Sequence, residues 1–232
     1  RYRKYYPSYL MDYSFYKTLV GLVNLIFDIG ANRGNKTDIF CHLSKKVIAV
    51  EPDNKCIEIL KTRFRKNKKV VIENVALSSS TGNKQMYVLS EGSELNTLSH
   101  KWRELVERPY KNRFSEDISF TNVKEIQTKT IDNLILEYGS PDYIKIDVEG
   151  HEEELLKGLT QKVKLISFEA NMPEFLEETL GCLTILNNLS FGSQFNYSDQ
   201  NMHLLKNWLS HNEISTIISK TNLRTIEIFC KM

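Results

Sequence analysis

The sequence predicts an α/β protein with a largely parallel sheet of about seven strands and helices on both faces of that sheet. From residue 25 onward, short apolar runs alternate with segments in which apolar residues recur at helical spacing. Two of the runs lead directly to acidic residues, Glu51 and Asp147. Sheets of this kind bind ligands at the carboxyl ends of their strands, so these two acids mark the predicted site.

Composition and charge exclude several classes of protein. The 232 residues carry a formal net charge of +2, with 31 basic and 29 acidic side chains, which gives no strong attraction to nucleic acid or to a membrane surface. No apolar stretch approaches the ~20 residues that a membrane span needs. A domain of this length buries roughly three-quarters of its unfolded surface, so it needs neither a metal nor disulfides to fold.

The four cysteines are widely separated and form no CxxC pair. This spacing argues against a zinc site, and it is too sparse for a disulfide scaffold. We therefore predict reduced, buried thiols and a cytoplasmic location. The four residues are Cys41, Cys56, Cys182 and Cys230.

Two parts are predicted, an N-terminal leader helix at residues 1–24 and a main domain at residues 25–232. The leader is basic and aromatic, with six of the eleven tyrosines in residues 1–16. Aromatic rings usually pack against a core, so we favour a helix whose rings pack on the domain. An aromatic flap over a substrate pocket is the alternative.

The first half of the main domain is predicted to contain three strand regions and a further extended segment. A strand at residues 25–29 precedes a glycine-containing loop and a helix near residues 36–43. After a second strand, Ile57, Leu60 and Phe64 lie on one face of a helix. The second strand is predicted at residues 47–50, residues 70–72 and 75–77 together form the third strand region, and the further extended segment lies at residues 85–89.

Residues 92–127 interrupt this alternation. They are polar, contain Trp102 and Pro109, and are predicted to connect two core strands as an insertion. Insertions at the ligand edge of an α/β sheet commonly shape the substrate site.

The second half of the domain is predicted to continue the alternation of strands and helices. Residues 143–148 form a buried strand, and a helix follows at residues 152–159. A strand at residues 165–168 precedes a helix that begins near Pro173. The spacing of Leu204, Leu205, Trp208 and Leu209 suits another helix, and Ile226, Ile228 and Cys230 alternate with their neighbours as in a strand.

The first motif with chemical content runs from Asp28 to Gly34, with the sequence DIGANRG. A strand, a glycine turn and a helix open the ligand crevice of many α/β folds, because glycine allows the backbone to approach a ligand closely. The spacing from Gly30 to Gly34 differs from the GxGxxG pattern of nicotinamide dinucleotide sites. A nicotinamide oxidoreductase is therefore disfavoured.

The second motif, Glu51-Pro52-Asp53, ends the second strand. A carboxylate at this place accepts hydrogen bonds from both ribose hydroxyls of an adenosine ligand. Together with the glycine loop, Glu51 favours a nucleoside site over an ordinary acidic strand end.

The third motif, IKIDVEGHE, brings Asp147, Glu149, His151 and Glu152 to one turn, with Lys145 in the strand before it. Some of these acids could merely cap the following helix, and this is the role that we predict for Glu152. Like charges at one sheet edge are unfavourable unless they have partners, so Asp147 and Glu149 are candidates for function.

The strings FDIGANRGNKT, VIAVEPD, VIENVALS, TKTIDNL and DYIKIDVEGHEEELLKGL together resemble the FkbM-type family of S-adenosylmethionine-dependent methyltransferases. The resemblance extends from residue 25 to residue 171. It implies a Rossmann-like class I methyltransferase fold, S-adenosylmethionine as the cofactor, and methylation of hydroxyl oxygens on sugars, polyketides or other natural products.

The resemblance also implies roles for individual residues. Asp28, Gly30, Asn32 and Gly34, with Ala31 among them, would shape the methionine side of the cofactor pocket, and Glu51 would hold the ribose. Asp147 would lie near the sulfonium. The residues beside the adenine would be Pro52 and Asp53 on one edge and Asn74, Val75 and Ala76 on the other.

The candidate catalytic residues are Asp147, Glu149, His151 and Lys145. A neutral alcohol is a poor nucleophile, so a base must remove its proton, and the two carboxylates are the first candidates, with His151 as an alternative. Glu169 could join Asp147 and Glu149 around Mg²⁺, but a divalent metal is not expected.

The near-zero charge favours a small-molecule or glycan acceptor over nucleic acid. A nucleic-acid methyltransferase is supported only by the basic run at residues 61–69, which otherwise suits a helix end. A cofactor-binding protein without catalytic activity is the remaining alternative. The sequence carries no signal for an oligomeric state.

Overall fold

A computed structural model describes residues 9–108, 118–199 and 202–232. Within these residues the chain forms eight helices and ten strands. The helices are α1 (Tyr9–Val20), α2 (Asn35–Leu43), α3 (Asn54–Phe64), α4 (His100–Glu107), α5 (Ile131–Tyr138), α6 (Glu152–Leu156), α7 (Leu176–Leu189) and α8 (His211–Ile218). The strands are β1 (Val23–Ile29), β2 (Ser44–Val50), β3 (Val70–Glu73), β4 (Ala76–Leu77), β5 (Gly82–Val88), β6 (Asn122–Lys129), β7 (Tyr143–Ile146), β8 (Leu165–Asn171), β9 (Gln194–Ser198) and β10 (Thr225–Lys231).

The main sheet has seven strands in the order β3-β2-β1-β7-β8-β10-β9. Its strands pair in parallel from β3 through β8, and β10 runs antiparallel to both β8 and β9. The prediction of a largely parallel sheet is therefore confirmed. The carboxyl ends of β1, β2 and β7 lie side by side, which brings the three sequence motifs to one edge.

Both faces of this sheet are covered, because successive side chains of its strands enter two different cores. Phe27 of β1 packs in the core that contains residues from α5, α6, α7 and α8. Its neighbour Ile26 packs in the core that contains residues from α1, α2 and α3. The prediction of helices on both faces is therefore confirmed. The strands are continuous apolar runs because both of their faces are buried.

A second sheet, of three strands in the order β4-β6-β5, stands apart from the main sheet. The prediction that grouped residues 75–77 with the third strand is wrong, because β4 pairs with β6 instead of joining the main sheet. Residues 92–127 also do more than connect two core strands. They contain α4 and the start of β6, and Trp102 anchors a third, small core. Pro109 lies outside the described residues.

The predicted helix around Leu204 and Leu209 is wrong. Leu209 exchanges two backbone hydrogen bonds of 2.7 Å with Phe195 of β9, and the side chain of Asn196 bonds the backbone of Leu205. The helix begins later, at α8, where Ser210 and Glu213 form a capping box. Cross-strand pairing with β9, which the spacing of residues 204–209 does not indicate, keeps the segment extended.

Other predicted boundaries shift by a few residues. The strand β7 ends at Ile146, and α6 ends at Leu156, both earlier than predicted. The strand β8 continues to Asn171, so Glu169 lies within it. The four cysteines are buried and free, as predicted. Within the described residues, no helix combines the length and the apolar character needed to cross a membrane.

The helix α1 packs on the main sheet through its aromatic rings. Tyr16 is fully buried and lies edge-on to Phe40 of α2 at a centroid distance of 5.1 Å, and its ring also contacts Tyr143 of β7. This is the arrangement that the packing interpretation of the leader expects. The flap hypothesis concerned residues 1–16, of which residues 1–8 lie outside the described part of the chain.

Candidate active site

The loop between β1 and α2 is held against the ends of β2 and β7. The amides of Gly30 and Ala31 both donate to the carbonyl oxygen of Val50 at 3.0 Å. At the end of β1, Asp28 is buried and accepts a hydrogen bond of 2.5 Å from the hydroxyl of Thr37. Burial raises the pKa of Asp28. The loop therefore presents backbone and one shielded carboxyl group at the sheet edge.

Gly30 is required at its position for two reasons. Its φ is +78°, in the left-handed region, and a Cβ there would lie 1.7 Å from the carbonyl oxygen of Asp147. The two strand ends that carry Asp28 and Asp147 can approach this closely only because Gly30 has no side chain.

We expect Gly30→Ala to destabilise the protein by more than the roughly 1–2 kcal/mol that left-handed backbone costs alanine. The added Cβ meets backbone of Asp147 that cannot move without shifting β7. The matched control is Gly21→Ala, because Gly21 has a similar φ of +74° with nothing within 4 Å of its Cβ position. Urea unfolding of both variants measures the difference, and equal losses would show that the contact with Asp147 is unimportant.

Glu51, at the end of β2, is buried and oriented by two backbone donors. The amide of Asn32 donates to its Oε2 and the amide of Asp53 to its Oε1, both at 2.8 Å. Burial, opposed by these two hydrogen bonds, raises its pKa to about 7. Each carboxylate oxygen has a second lone pair, so Glu51 can accept hydrogen bonds from two ligand hydroxyls.

Asp53 tethers a loop to this edge instead of facing the cavity. It caps α3 by accepting from the amides of Lys55 and Cys56. It also accepts from the amide of Gly92 at 3.1 Å and from the side-chain amide of Asn96 at 3.0 Å. The segment at residues 90–98 is thereby fastened beside Glu51.

Asn74 also has a different placement from the one that the family resemblance implies. Its side-chain amide donates to the carbonyl oxygens of Glu51 and Pro52, both at 3.2 Å. It supports the backbone of this loop and does not line the cavity.

Asp147 and Lys145 form an ion pair at the end of β7, with 2.7 Å between Nζ and Oδ2. Lys145 is buried, and although burial opposes its charge, the carboxylates of Asp147, Glu227 and Asp28 raise its pKa. Burial also works against ionisation of Asp147, but Lys145 and a hydrogen bond with Glu169 outweigh it and lower the pKa of Asp147. The pair is therefore charged at neutral pH.

Glu149 and Glu169 complete a cluster of three carboxyl groups with Asp147. One oxygen from each lies within 4.8 Å of the others, a spacing that could hold a divalent cation. Burial and then the neighbouring carboxylates raise the pKa of Glu149 and of Glu169 well above the ordinary value. The Lys145 ammonium supplies a positive charge to this cluster from the protein itself.

His151 and Glu152 hold the turn after β7. Nε2 of His151 lies 3.2 Å from the hydroxyl of Ser78, and burial lowers the pKa of the imidazole to about 4. It is therefore neutral at pH 7. Glu152 accepts hydrogen bonds from the amides of Val148 and Gly150 in the turn before α6, so the prediction that it caps this helix is wrong, and its carboxylate holds the turn instead.

A cavity of about 770 Å³ opens between these elements. Of the sequence-predicted residues, Gly34, Asp53 and Asn74 do not line it; Gly34 instead packs against Leu60 and Phe64. Those that do line it are Asp28, Gly30, Ala31, Asn32, Glu51, Pro52, Val75, Ala76, Lys145, Asp147, Glu149 and His151.

The candidate residues named from the sequence leave out two groups of lining residues. One is Asn35 and Lys36, in the first turn of α2, and the other is the segment at residues 90–98. The helix turn was available from the sequence, because it directly follows the glycine loop. Residues 92–98 belong to the insertion predicted to shape the substrate site, but the place of this segment beside Glu51 depends on its hydrogen bonds to Asp53.

Comparisons with known proteins agree with this architecture. A family model described as "Methyltransferase FkbM domain" matches residues 28–210. The methyltransferase FkbM of Methylobacillus flagellatus is similar in structure, with a TM-score of 0.54 and 14% identity over 89% of this chain. The present chain spans 43% of that protein's length.

Two further solved structures resemble the chain at lower TM-scores. Precorrin-6y C5,15-methyltransferase of Geobacter metallireducens has a TM-score of 0.46 and 12% identity, and the alignment covers 97% of this chain and 89% of that one. A dimethyladenosine transferase of Plasmodium falciparum has a TM-score of 0.48 and 10% identity, with coverage of 94% and 59%. Comparison with curated proteins finds no similar sequence.

The family match covers most of the chain and includes the glycine loop, Glu51 and Asp147. The seven-stranded sheet is that of Rossmann-like class I methyltransferases, and the family implies S-adenosylmethionine as methyl donor. This chain belongs to the FkbM methyltransferase domain family.

Proposed function

We propose that this protein is an S-adenosylmethionine-dependent O-methyltransferase whose acceptor is a hydroxyl group of a sugar, a glycan or another natural product. One observation carries the proposal. A single cavity contains both Glu51, at the end of β2, and the carboxyl cluster of Asp147, Glu149 and Glu169, toward the ends of β7 and β8. Glu51 can accept hydrogen bonds from ligand hydroxyls. Glu51 therefore suits a ribose, and the carboxyl cluster suits an acceptor hydroxyl.

The residues of the cavity fit the cofactor. Glu51 offers its carboxylate to the ribose hydroxyls, and Val75 and Ala76 supply apolar surface suited to an adenine. Asp28 and the loop around Gly30 suit the methionine portion, whose ammonium would be stabilised by a carboxylate. When bound, S-adenosylmethionine supplies an activated methyl group.

The carboxyl cluster can orient an acceptor and hold its proton. Asp147, kept ionised by Lys145, accepts a hydrogen bond from a hydroxyl and so directs its oxygen. A general base works best when its pKa is near the working pH, and the raised pKa of Glu149 suits proton uptake better than the lowered pKa of Asp147. Lys145 then acts by positioning Asp147. His151 is a weak base because its pKa is low.

The proposal is tested first by calorimetry with S-adenosylmethionine and then by mass spectrometry of a panel of glycosides after incubation. The expected result is saturable cofactor binding and a mass increment of one methylene group on a hydroxylated acceptor. Absence of cofactor binding at high micromolar concentration would favour the alternative of a protein that kept the fold without the activity.

Methylation of nucleic acid has less support. Two of the basic residues in the run at 61–69 are used inside the fold: Arg63 bonds the carbonyl oxygen of Arg33 and the side chain of Asn35, and Lys69 bonds the carbonyl oxygens of Cys41 and Ser44. Filter binding of RNA at rising salt tests this alternative, because phosphate contacts weaken steeply with salt.

We expect the affinity for 5′-methylthioadenosine, which carries the ribose without the amino-acid portion, to fall below pH 7. The pKa of Glu51 in the free protein is about 7, so at lower pH the carboxyl must lose a proton before both oxygens can accept. The dissociation constant should rise by up to about tenfold per pH unit. Calorimetry at a series of pH values from about 5.5 to about 8 measures this change in the dissociation constant.

Two variants identify the group responsible for this pH dependence. Glu51→Gln should bind more weakly and lose the slope. Glu152→Gln should keep it, although burial also raises the pKa of Glu152 to about 7, because Glu152 does not line the cavity. A slope that survives in Glu51→Gln would assign the titration to another group.

A further inference from the structure

We propose that Lys36 binds the carboxylate of the cofactor's methionine portion and that Asp12 of α1 positions it. The inference rests on the proposed function and deepens it. It makes α1, which precedes the residues that match the family, a part of the cofactor site.

The cavity is unfavourable for a ligand carboxylate unless a cation is near. Its lining includes seven acidic residues and three basic ones, Arg33, Lys36 and Lys145. The acidic residues that are ionised, Asp147 among them, repel a ligand carboxylate, and water screens this repulsion poorly in a partly buried site. The methionine carboxylate therefore needs one of the three cations. The acidic residues are Asp28, Glu51, Glu91, Glu94, Asp147, Glu149 and Glu169.

Two of the cations are placed for other tasks. Lys145 is buried and forms its ion pair with Asp147. The guanidinium of Arg33 lies against the segment at residues 90–98, where it donates to the carbonyl oxygen of Gly92 at 3.4 Å. Lys36 lines the cavity, and its side chain is 25% exposed.

Lys36 also occupies the right end of the cavity. It lies in the first turn of α2, directly after the glycine loop, where the helix N-terminus adds a favourable potential for an anion. Its charge opposes the rise that burial causes in the pKa of Asp28 and contributes to the lowered pKa of Asp147, which places it near the ends of β1 and β7. Lys36 therefore lies at the end of the cavity that is proposed for the methionine portion, beside Asp28 and the glycine loop.

Asp12 and Tyr16 of α1 hold this lysine. The carboxylate of Asp12 is 1% exposed and lies 2.8 Å from Nζ of Lys36, and Nζ lies 5.3 Å from the centre of the Tyr16 ring. Tyr16 is itself fixed, since its hydroxyl donates to Glu227 of β10 at 2.9 Å. An ammonium has three N–H donors and can contact two carboxylates at once, so Asp12 can orient Lys36 while it binds a ligand.

Two ligands that differ in the amino-acid portion test the inference. S-adenosylhomocysteine has the methionine-type carboxylate, and 5′-methylthioadenosine lacks it. In Lys36→Met we expect the dissociation constant for S-adenosylhomocysteine to rise about tenfold or more, because a charged hydrogen bond is lost. The dissociation constant for 5′-methylthioadenosine should stay within about twofold, as measured by calorimetry.

Three further variants sharpen the result. Lys36→Arg keeps the charge and should restore most of the affinity for S-adenosylhomocysteine. Asp12→Asn should weaken that ligand less than Lys36→Met does and leave 5′-methylthioadenosine unchanged. Lys45→Met, at the opposite end of β2 and outside the cavity, should change neither ligand.

The outcomes separate the two proposals. Equal weakening of both ligands in Lys36→Met, or no weakening of either, overturns the role of Lys36 while cofactor binding stands. Failure of the unaltered protein to bind either ligand overturns the proposed function and this inference with it. Selective loss of S-adenosylhomocysteine supports both.

Discussion

Replacing Asp147 by Asn is expected to reduce turnover by about 10²- to 10⁴-fold, the range typical of lost acid–base or proton-orienting groups. Asp147 is the one carboxylate of the cluster whose pKa is lowered, so it is the anion that directs an acceptor hydroxyl. Asparagine keeps the shape but not the charge. The effect is measured as the initial rate of methylation of an acceptor that mass spectrometry has identified as a substrate.

The variant also changes the free energy of unfolding, because Lys145 loses its partner at 2.7 Å. Removing one member of a fully buried ion pair typically costs roughly 3–5 kcal/mol, because the other charge stays buried without its partner. We expect a smaller loss here, since the Asp147 side chain is 35% exposed and the carboxylates of Glu227 and Asp28 also act on Lys145. Urea unfolding of the variant establishes a temperature at which it is folded, and the rates are compared there.

Asp142→Asn is the matched control. Asp142 lies just before the opposite end of β7, forms an ion pair with Lys164 and accepts from the amides of Asn24 and Leu25. We expect normal turnover from the folded variant. If Asp147→Asn were as active as this control, the proton-directing role would pass to Glu149, with His151 next.

Replacing Glu51 by Ala is expected to raise the dissociation constant for S-adenosylmethionine about 10- to 100-fold, since hydrogen bonds to charged groups contribute roughly 1.5–3 kcal/mol each. The ribose loses its acceptor, and the amides of Asn32 and Asp53 lose theirs. The glycine loop is then less well held, which adds to the loss. Calorimetry with the cofactor measures the change.

Glu58→Ala serves as the control, because Glu58 lies on α3, is largely exposed and pairs only with Lys55 among the described ion pairs. Its affinity for the cofactor should equal that of the unaltered protein. An affinity of Glu51→Ala equal to that of Glu58→Ala would show that the ribose is bound elsewhere.

Much of the site could be predicted because its parts are short and continuous in sequence. The apolar run before Glu51 predicts a strand, and a strand places the next residue at the sheet edge. The same argument applies to Asp147 and to the glycine loop after Asp28. The structure brings these residues to one cavity because β1 lies between β2 and β7.

Predictions failed where a distant segment determines the local conformation. Residues 204–209 have a spacing that suits a helix, but backbone pairing between Leu209 and Phe195 keeps them extended. Residues 75–77 lie close in sequence to β3, yet β4 pairs with β6, more than forty residues further along the chain. Helical periodicity and proximity in sequence contain no information about such partners.

The pKa values of the site residues, and the contacts of these residues with distant segments, depend on the tertiary structure in the same way. Asp53 resembles a ligand residue in the motif, but its oxygens are used by the backbone of α3, by Gly92 and by Asn96. Glu169 gains its raised pKa from burial beside Asp147. Lys36 meets Asp12 only because α1 packs against α2.

The sequence by itself determined the fold class, the family and the strand ends that carry Glu51 and Asp147. These follow from periodicity and from short motifs, which depend on neighbouring residues. Only the tertiary structure decided that Asp147 is ionised, that Glu149 and Glu169 have raised pKa values, that Asp53 holds a loop and that Asp12 of α1 pairs with Lys36 of the cavity lining. Burial and charge–charge contacts between distant residues set these properties, and both arise only when the chain is folded.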